Sequence, residues 1–420
     1  MFPNPTCFLT KKYQSITFTE KINSVSIIHF ISAVNYAEKL GYTSLKIDFT
    51  KVKKVFPNGI LPIICAIDDY RKSGFLMTIK LPKDDDVRKM FRNVNWAHYL
   101  SPEQFDKSES TYDRHLVTRR YENAEEQKSI VDDFMDVVIR NLEIPKDLIT
   151  GLEWSINEIT DNVLNHSEST NGGIIQATTQ IKERKVIFAV ADSGRGILHS
   201  MKEGFPELRT DLHAIGEAIK AGVTRNPDFG QGNGLAGTLR VTTKTKGSLE
   251  ILSGFGRLKV TDQETVRKKN NFSYQGTMVS GEINLIEDFS ISEALDFDGT
   301  GQKYIPSNII DFKYESEHQD ILRLKMKDET TGFGSRKSGM QIRTKVKNLI
   351  NAKPGFPLII DWAGVPVISS SFADELIGKL FLEMGAMSFS SIVKNINMEP
   401  FITGLLDKAV SQRLTQAKDD

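Results

Sequence analysis

The chain has 420 residues, 39% of them hydrophobic and 26% charged, and its 54 Lys+Arg balance its 54 Asp+Glu. Length and composition are those of a globular protein of about three domains with apolar material for more than one core. Zero net charge removes the usual reason to expect nonspecific binding to nucleic acid or to a membrane surface, and no run approaches the ~18 uninterrupted apolar residues of a membrane span.

Two cysteines, Cys7 and Cys65, form no C-x-x-C. Cys65 sits in the apolar run Ile60-Leu61-Pro62-Ile63-Ile64-Cys65-Ala66-Ile67 and reads as core. A reducing compartment is the simple reading. The N-terminus lacks a charged-then-apolar signal pattern, so the cytoplasm is the expected location.

Residues 1–105 alternate strand and helix patterns. Ser15–Thr19 has period two, and Ser24 is placed to cap a helix through Ile27, Ile31 and Val34 to Gly41. Ser44–Phe49 reads as a second strand, Pro57-Asn58-Gly59 as a turn, Ile60–Lys72 as a helix ending at Gly74, and Leu76–Leu81 as a third strand. Asp84-Asp85-Asp86 opens a further helix, where acids complement the helix dipole; a cap is the reading for this run rather than a metal site.

Residues 106–128, polar and carrying Arg114, Arg119 and Arg120, read as a linker, residues 129–288 hold glycine-rich motifs, and polar residues 289–304 read as a second linker. Residues 305–413 repeat the first pattern, ahead of a tail at 414–420. A helix is expected over Gly339–Asn351, a strand over Leu358–Trp362, a turn over Pro366–Ser371, a helix over Ala373–Met384 and a strand over Phe389–Val393. Strand, turn and helix follow in the same order as in residues 45–60, with a shared Asp before an aromatic residue (Asp48, Asp361), so the two ends read as divergent copies of one module.

The chemistry lies between them. Leu152, Ile156, Ile159 and Val163 fall on one helical stripe that should face the core, while Trp154, Glu158, Asn162 and His166 form a separate i, i+4 row. A carboxylate followed one turn later by an amide suits metal–triphosphate chemistry: Glu158 can orient or deprotonate a nucleophile, and the Asn162 amide oxygen is a hard ligand for Mg2+. Lys185–Ala191 is a strand delivering Asp192, which can accept from an exocyclic amine such as that of adenine. Gly194 and Gly196 let the backbone turn there. Gly230 to Leu235, with Gly232 and Gly234, offers amide N–H groups to phosphate oxygens and leads into a helix N-terminus, and Asn226–Phe229 before it reads as a lid. Thr277 precedes the strand Met278–Ile283. The histidines show no zinc spacing, and His166 reads as structural.

In this order the motifs resemble the GHKL ATPase superfamily, which includes histidine-kinase catalytic domains, gyrase B, MutL and the anti-sigma serine kinases. The resemblance covers residues 129–288 and implies a Bergerat-fold α/β sandwich binding ATP and Mg2+. It implies Glu158 as general base, Asn162 as Mg2+ ligand, Asp192 on adenine N6 with Gly194 and Gly196 beside it, Gly230, Gly232 and Gly234 around the phosphates, and Thr277 supporting the base. Ala221–Arg225 and Gly234–Thr238 look most like the anti-sigma and stress-switch serine kinases. In that context Arg225 is either a γ-phosphate contact or an exposed lid arginine. Both flanks resemble the STAS fold of anti-sigma-factor antagonists, whose kinase-modified serine sits at a strand–turn–helix junction. Ser371, in Ile368-Ser369-Ser370-Ser371-Phe372, matches that acceptor position best. The family's Asp and Gly are replaced by Ser369 and Phe372, and the alternative is that Ser371 is an N-cap. The N-terminal copy has Asn58 at this turn and reads as a binding or scaffolding copy.

The expected architecture is therefore α/β: a central Bergerat-fold ATPase domain between two small STAS-like domains. The expected function is an ATP-dependent signalling switch, a Mg2+-dependent ATPase or serine/threonine kinase with a regulatory protein partner and a plausible homodimer. Two alternatives stand beside it, an ATP-gated dimerising clamp as in the gyrase and MutL branch, and a non-enzymatic ATP-sensing scaffold.

Overall fold

The chain opens with strand β1 (Cys7–Thr10), β2 (Ser15–Phe18) and β3 (Lys21–Ile22), helix α1 (Ser26–Lys39), β4 (Ser44–Asp48), β5 (Lys54–Val55), α2 (Pro57–Lys72), β6 (Leu76–Lys80), α3 (Asp85–Asn93) and α4 (Trp96–Leu100). The computed structural model describes residues 5–108, 115–223, 233–297, 299, 305–316, 320–330 and 332–416. Contacts divide the chain into two units, Met1–Phe134 with Gly151–Ile305, and Met135–Thr150 with Pro306–Asp420.

In the first unit a sheet runs β1-β2-β4-β6, antiparallel between β1 and β2 and parallel beyond. Its core is aromatic: Phe18 stacks on Phe49 at 4.8 Å and Phe91 meets Trp96 edge-on at 5.3 Å. Asp84 caps α3 as expected, accepting from Asp86 N and Val87 N, each at 3.1 Å. Ser24 does not cap α1. The entry turn is closed by Asn23 and Ser26, with Val25 N donating to Asn23 Oδ1 at 3.2 Å, and Ser24 Oγ instead accepts from Arg257 Nη2 at 3.0 Å. α2 starts earlier than expected because Pro57 occupies its first turn, where a missing N–H costs no helix bond.

The chain continues with β7 (His115–Tyr121), α5 (Ala124–Asn141), α6 (Lys146–Asn162), β8 (Gly173–Gln180), β9 (Lys185–Asp192), α7 (Gly196–Met201), α8 (Asp211–Ala218), α9 (Gly234–Lys244), β10 (Ser248–Thr261), β11 (Thr265–Asn284) and α10 (Ile291–Ala294). A second sheet runs β10-β11-β9-β8-β7, antiparallel throughout. β7 lies within the segment that reads as a linker. Its polar look comes from Arg119 and Arg120, which pair with Asp133 and Asp68, while Leu116 and Tyr121 are buried.

β9 reads Lys-Val-Ile-Phe-Ala-Val-Ala-Asp because both of its faces are covered. Ala189 and Ala191 share one core with Ile60, Ile64 and Cys65 of α2. α2 lies along β8, β9 and β11, and α1 along β11. Strand alternation then turns Phe188, Val190 and Asp192 to the other face. The stripe expected on α6 is buried: Leu152, Ile156, Ile159 and Val163.

The second unit contains β12 (Leu322–Lys325), α11 (Met326–Glu329), α12 (Arg336–Ala352), β13 (Leu358–Asp361), α13 (Ser370–Ala373), a wide helical turn at 374–378, α14 (Lys379–Met384), α15 (Ala386–Ile392), β14 (Val393–Ile396) and α16 (Pro400–Gln416). The sheet β12-β13-β14 is parallel. Phe389–Ile392, expected to begin a strand, is helical. Gly385, at φ 77°, resets the chain, Phe389 N donates to Gly385 O at 3.0 Å, and the Phe389 ring packs on Phe381, so the strand starts at Val393. Lys345, 1% exposed, donates to Asp136 Oδ1 at 2.8 Å and Tyr314 OH at 3.2 Å and also pairs with Glu329. Burial pushes the Asp136 carboxyl up, but Lys345 and Lys313 outweigh it and hold it below the usual range. Asn348 accepts from Ile144 N at 3.0 Å and donates to Ile139 O at 2.6 Å and Leu142 O at 2.7 Å, which satisfies the backbone where α5 ends.

Both end modules run strand, helix, parallel strand, helix, parallel strand. In each, the shared Asp makes the same local bond: Asp48 Oδ1 accepts from Thr50 N at 2.8 Å and Asp361 Oδ1 from Ala363 N at 3.1 Å. Fold class is mixed α/β, as expected.

Phe49→Ala, at a fully buried position in the aromatic chain, is expected to lower stability by about 3–5 kcal/mol, read as the shift of the urea midpoint.

Candidate functional site

The site is assembled where α6 ends. Thr160 holds the helix in place from its buried side, its Oγ1 donating to Ile156 O at 2.8 Å and accepting from Gln127 Nε2 at 2.8 Å. On the other row Trp154, Glu158, Asn162 and His166 are half-buried. α9 approaches this row through two glycines. A Cβ at Gly237 would lie 2.2 Å from the Trp154 ring, and a Cβ at Gly234 would lie 2.4 Å from Glu158 Oε2. Gly237 is thus a packing glycine, and Gly234 sets the start of α9 directly on the Glu158 carboxylate. Leu235 stands in the first turn of α9. Asn233 leaves that turn uncapped, its Oδ1 accepting instead from Gly222 N at 2.9 Å.

The turn after β9 forms the other wall. Asp192 is 3% exposed, and its Oδ1 accepts from Gly194 N at 2.8 Å and Thr277 N at 3.3 Å. Tyr274 OH donates to Asp192 O at 2.6 Å. Gly276, at φ 108°, is required here, since a Cβ would meet Asp192 O at 2.1 Å. Ser253 ties the strands together: it accepts from Ile197 N at 2.9 Å, donates to Gly276 O at 3.0 Å and lies 3.1 Å from Thr277 Oγ1. Gly196, at φ 78°, leads into α7.

The two walls touch. A Cβ at Gly194 would lie 2.1 Å from Ser167 O, and Arg195 N donates to Ser167 O at 2.8 Å. Ser167 ends the wide helical turn that follows Asn162. The structure therefore brings the Glu158/Asn162 helix, the Asp192 turn, Thr277 and the start of α9 into one neighbourhood. Arg225, Gly230 and Gly232, and the expected lid at 226–229, lie outside the described residues. A cleft of about 530 Å³ opens on the outer side of the turn, lined by Arg195, Gly196, His199, Asp211, Tyr274 and Gly276; Glu158 and Asn162 do not line it.

Both acids of the site are shifted the same way. Burial raises Asp192 to about 7 against the pull of the Gly194 and Thr277 amides. Burial and the nearby Asp161 charge raise Glu158 to about 7. Perturbed carboxyls of this kind mark functional sites. Among the described residues no group of three or more His, Cys, Asp or Glu is arranged to hold a metal ion.

In the second unit, Ser369 caps α13, accepting from Phe372 N at 3.1 Å, so the cap proposed as the alternative for Ser371 belongs to Ser369. Ser371 is half-buried one residue into that helix, its hydroxyl 3.0 Å from Ser369 Oγ.

Residues 338–402 match the family model described as a STAS-like domain of unknown function (DUF4325). The STAS-like domain thus spans most of α12 through β14 and includes Ser371. No curated protein matches the chain. No helix among the described residues is long and apolar enough to cross a membrane.

Ser253, Tyr274 and Gly276 build the site without a motif of their own in the sequence. Gln275-Gly276-Thr277 was the available signal, a glycine inside a strand pattern next to a hydroxyl. Gly237→Ala is expected to destabilise the protein by about 1–3 kcal/mol by overpacking. Trp154→Ala in the same chain should return much of that loss in thermal melts.

Proposed function

We propose that the first unit binds ATP with Mg2+ and that the protein is a signalling switch of the anti-sigma-kinase type, an ATPase or serine kinase joined to its STAS-like domain. The observation that carries this reading is Asp192: a carboxylate buried at the end of a strand, with both of its described hydrogen bonds on Oδ1, beside glycines at 194, 196 and 276 that let the backbone turn and pack closely there. Asp192 would hold the adenine amine, with Thr277 beside it. Asn162 would hold Mg2+, which when bound neutralises charge on the phosphates. The start of α9, from Gly234 and Leu235, offers amide N–H groups to the phosphates. Glu158, through its carboxylate oxygens, would take the proton of the attacking hydroxyl, whether of water or of a protein serine. The rest of the rate comes from positioning and charge stabilisation.

The N-terminal module reads as a second STAS-like copy, on the strength of its strand–helix order and the Asp48 turn. Asn58 stands where an acceptor serine would be, and its Nδ2 donates to Glu250 Oε2 at 3.2 Å, so this turn is already engaged within its own unit. Ser371 of the STAS-like domain is the candidate acceptor, because Ser369 takes over capping and leaves the Ser371 hydroxyl outside the helix bonds.

Glu158→Ala should lower kcat by roughly 10²–10⁴ while the Kd for ATP changes little; unchanged turnover in steady-state phosphate release would remove the mechanism. A base works ionised, so wild-type kcat should rise with pH through about 7 as Glu158 loses its proton.

Adenine affinity should rise over the same range, because the amine donates to ionised Asp192. Asp192→Asn, which keeps an acceptor oxygen but cannot titrate, should flatten the affinity profile in calorimetric titrations.

With γ-labelled ATP and Mg2+, label on the chain that is absent in Ser371→Ala is the expected result for self-phosphorylation. Free phosphate without label moves the acceptor to water or to a separate protein.

A further inference from the structure

The charge balance of the whole chain hides a local excess. Residues 7–54 carry eight lysines against Glu20, Glu38 and Asp48, within a chain whose charges cancel. The sheet β1-β2-β4-β6 gathers part of that excess on one face. Strand alternation and register separate its two faces. On the inner face Ile16, Phe18, Leu45, Ile47 and Ile79 belong to the core that includes α1 and α2. On the outer face one row runs Phe8, Thr17, Asp48, Lys80 and the next Thr10, Ser15, Lys46, Thr78, with Leu76 opposite Ser44. Lys46, Thr78 and Lys80 are exposed, as are Phe8 at 41% and Leu76 at 71%. The middle strand adds only the small Ser15 and Thr17, both buried, and the Ser15 hydroxyl has no hydrogen-bond partner among the described residues.

Aromatic rings alternate with cations around this face. Lys51 Nζ lies 5.9 Å from the centre of the Phe8 ring. At the β1–β2 turn Tyr13 is 65% exposed, with Lys12 Nζ 5.5 Å from its ring centre, and Lys11 Nζ lies 5.2 Å from that of Tyr36. Among the described residues none of Lys11, Lys12, Lys46, Lys51 and Lys80 is in an ion pair, whereas Lys53 is taken by Glu20. Asp48, the one acid in the two rows, accepts from Thr50 N.

Unpaired lysines beside exposed rings suit a polymer that offers both phosphates and flat stacking faces. An acidic peptide would use the lysines and leave the rings unexplained. We propose that the outer face of this sheet binds single-stranded nucleic acid, with Lys12, Lys46, Lys51 and Lys80 on the phosphates and Phe8 and Tyr13 stacking on bases. A duplex keeps its bases stacked on one another and so cannot use the rings. Binding here is independent of the ATP reading, since no residue of the face belongs to the nucleotide site.

Fluorescence anisotropy of a labelled oligothymidylate of about twenty nucleotides, titrated with the full chain, tests the assignment. Wild type should bind at about 50 mM salt and weaken about fiftyfold by about 200 mM, as four lysines displacing counterions from a single strand require. Phe8→Ala should weaken binding about tenfold, the loss of one stacked base, and leave the salt dependence unchanged. Lys46→Glu combined with Lys80→Glu should weaken it at least about tenfold and flatten the log–log salt slope by about 1.4, two phosphate contacts' worth. Lys394→Glu, at an exposed lysine of the second unit, should change neither quantity. The altered side chains are all exposed, so thermal melts should match wild type. A wild-type chain that does not bind at low salt overturns the proposal. So does binding that survives both Phe8→Ala and the lysine double variant, or a duplex of the same length held as tightly. Polyglutamate that binds as tightly as the oligonucleotide and displaces it makes an acidic protein the occupant and overturns the nucleic-acid assignment.

Discussion

The site of the first unit depends on a sheet covered on both faces. β9 can end in a buried Asp192 because α2 and its neighbours close one side and leave the other for the α6 row. Burying the Ala189/Ala191 side against Ile60 and Ile64 holds β9 in register, and register decides where Asp192 points. A slip of one residue would turn Asp192 into the apolar layer and Ser193 into the site.

Close approach without side chains is the second constraint. Gly194 against Ser167, Gly276 against Asp192, Gly234 against Glu158 and Gly237 against Trp154 are each closer than a Cβ allows. These contacts draw α6, the β9 turn, the β10–β11 pair and α9 together into one neighbourhood. They also remove water from Glu158 and Asp192, and that loss of solvation raises both carboxyls toward neutrality.

The second unit is organised by polar groups placed inside it. Lys345 sits among Asp136, Glu329 and Tyr314, and Asn348 closes the end of α5 with three backbone bonds. Such groups are costly to bury unless satisfied and so specify one arrangement of α12 against residues 135–150. The STAS-like domain is thereby tied to a segment from the middle of the chain rather than standing as an appended C-terminal module.

Much of this was legible in the sequence. The Glu158/Asn162 row, the Asp192 turn, the glycines at 194, 196 and 234, the Asp84 cap and the parallel-strand modules all rest on local chemistry: helical period, strand period, turn residues and acids at a helix start. Other features needed the folded chain. β7 was hidden because Arg119 and Arg120 find partners far away in sequence, α15 because Gly385 and the Phe381 contact override a strand-like pattern, and the Ser369 cap because neighbouring serines are alike until the backbone chooses one. The contacts of Ser253 and Tyr274 were likewise out of reach. By itself the sequence determined which side chains share a helix row, a strand face or a turn, since that follows from side-chain type and spacing. Tertiary structure decided which of them meet and which segments share a unit, because those depend on contacts between residues as far as 233 positions apart, whose pairing no local pattern encodes.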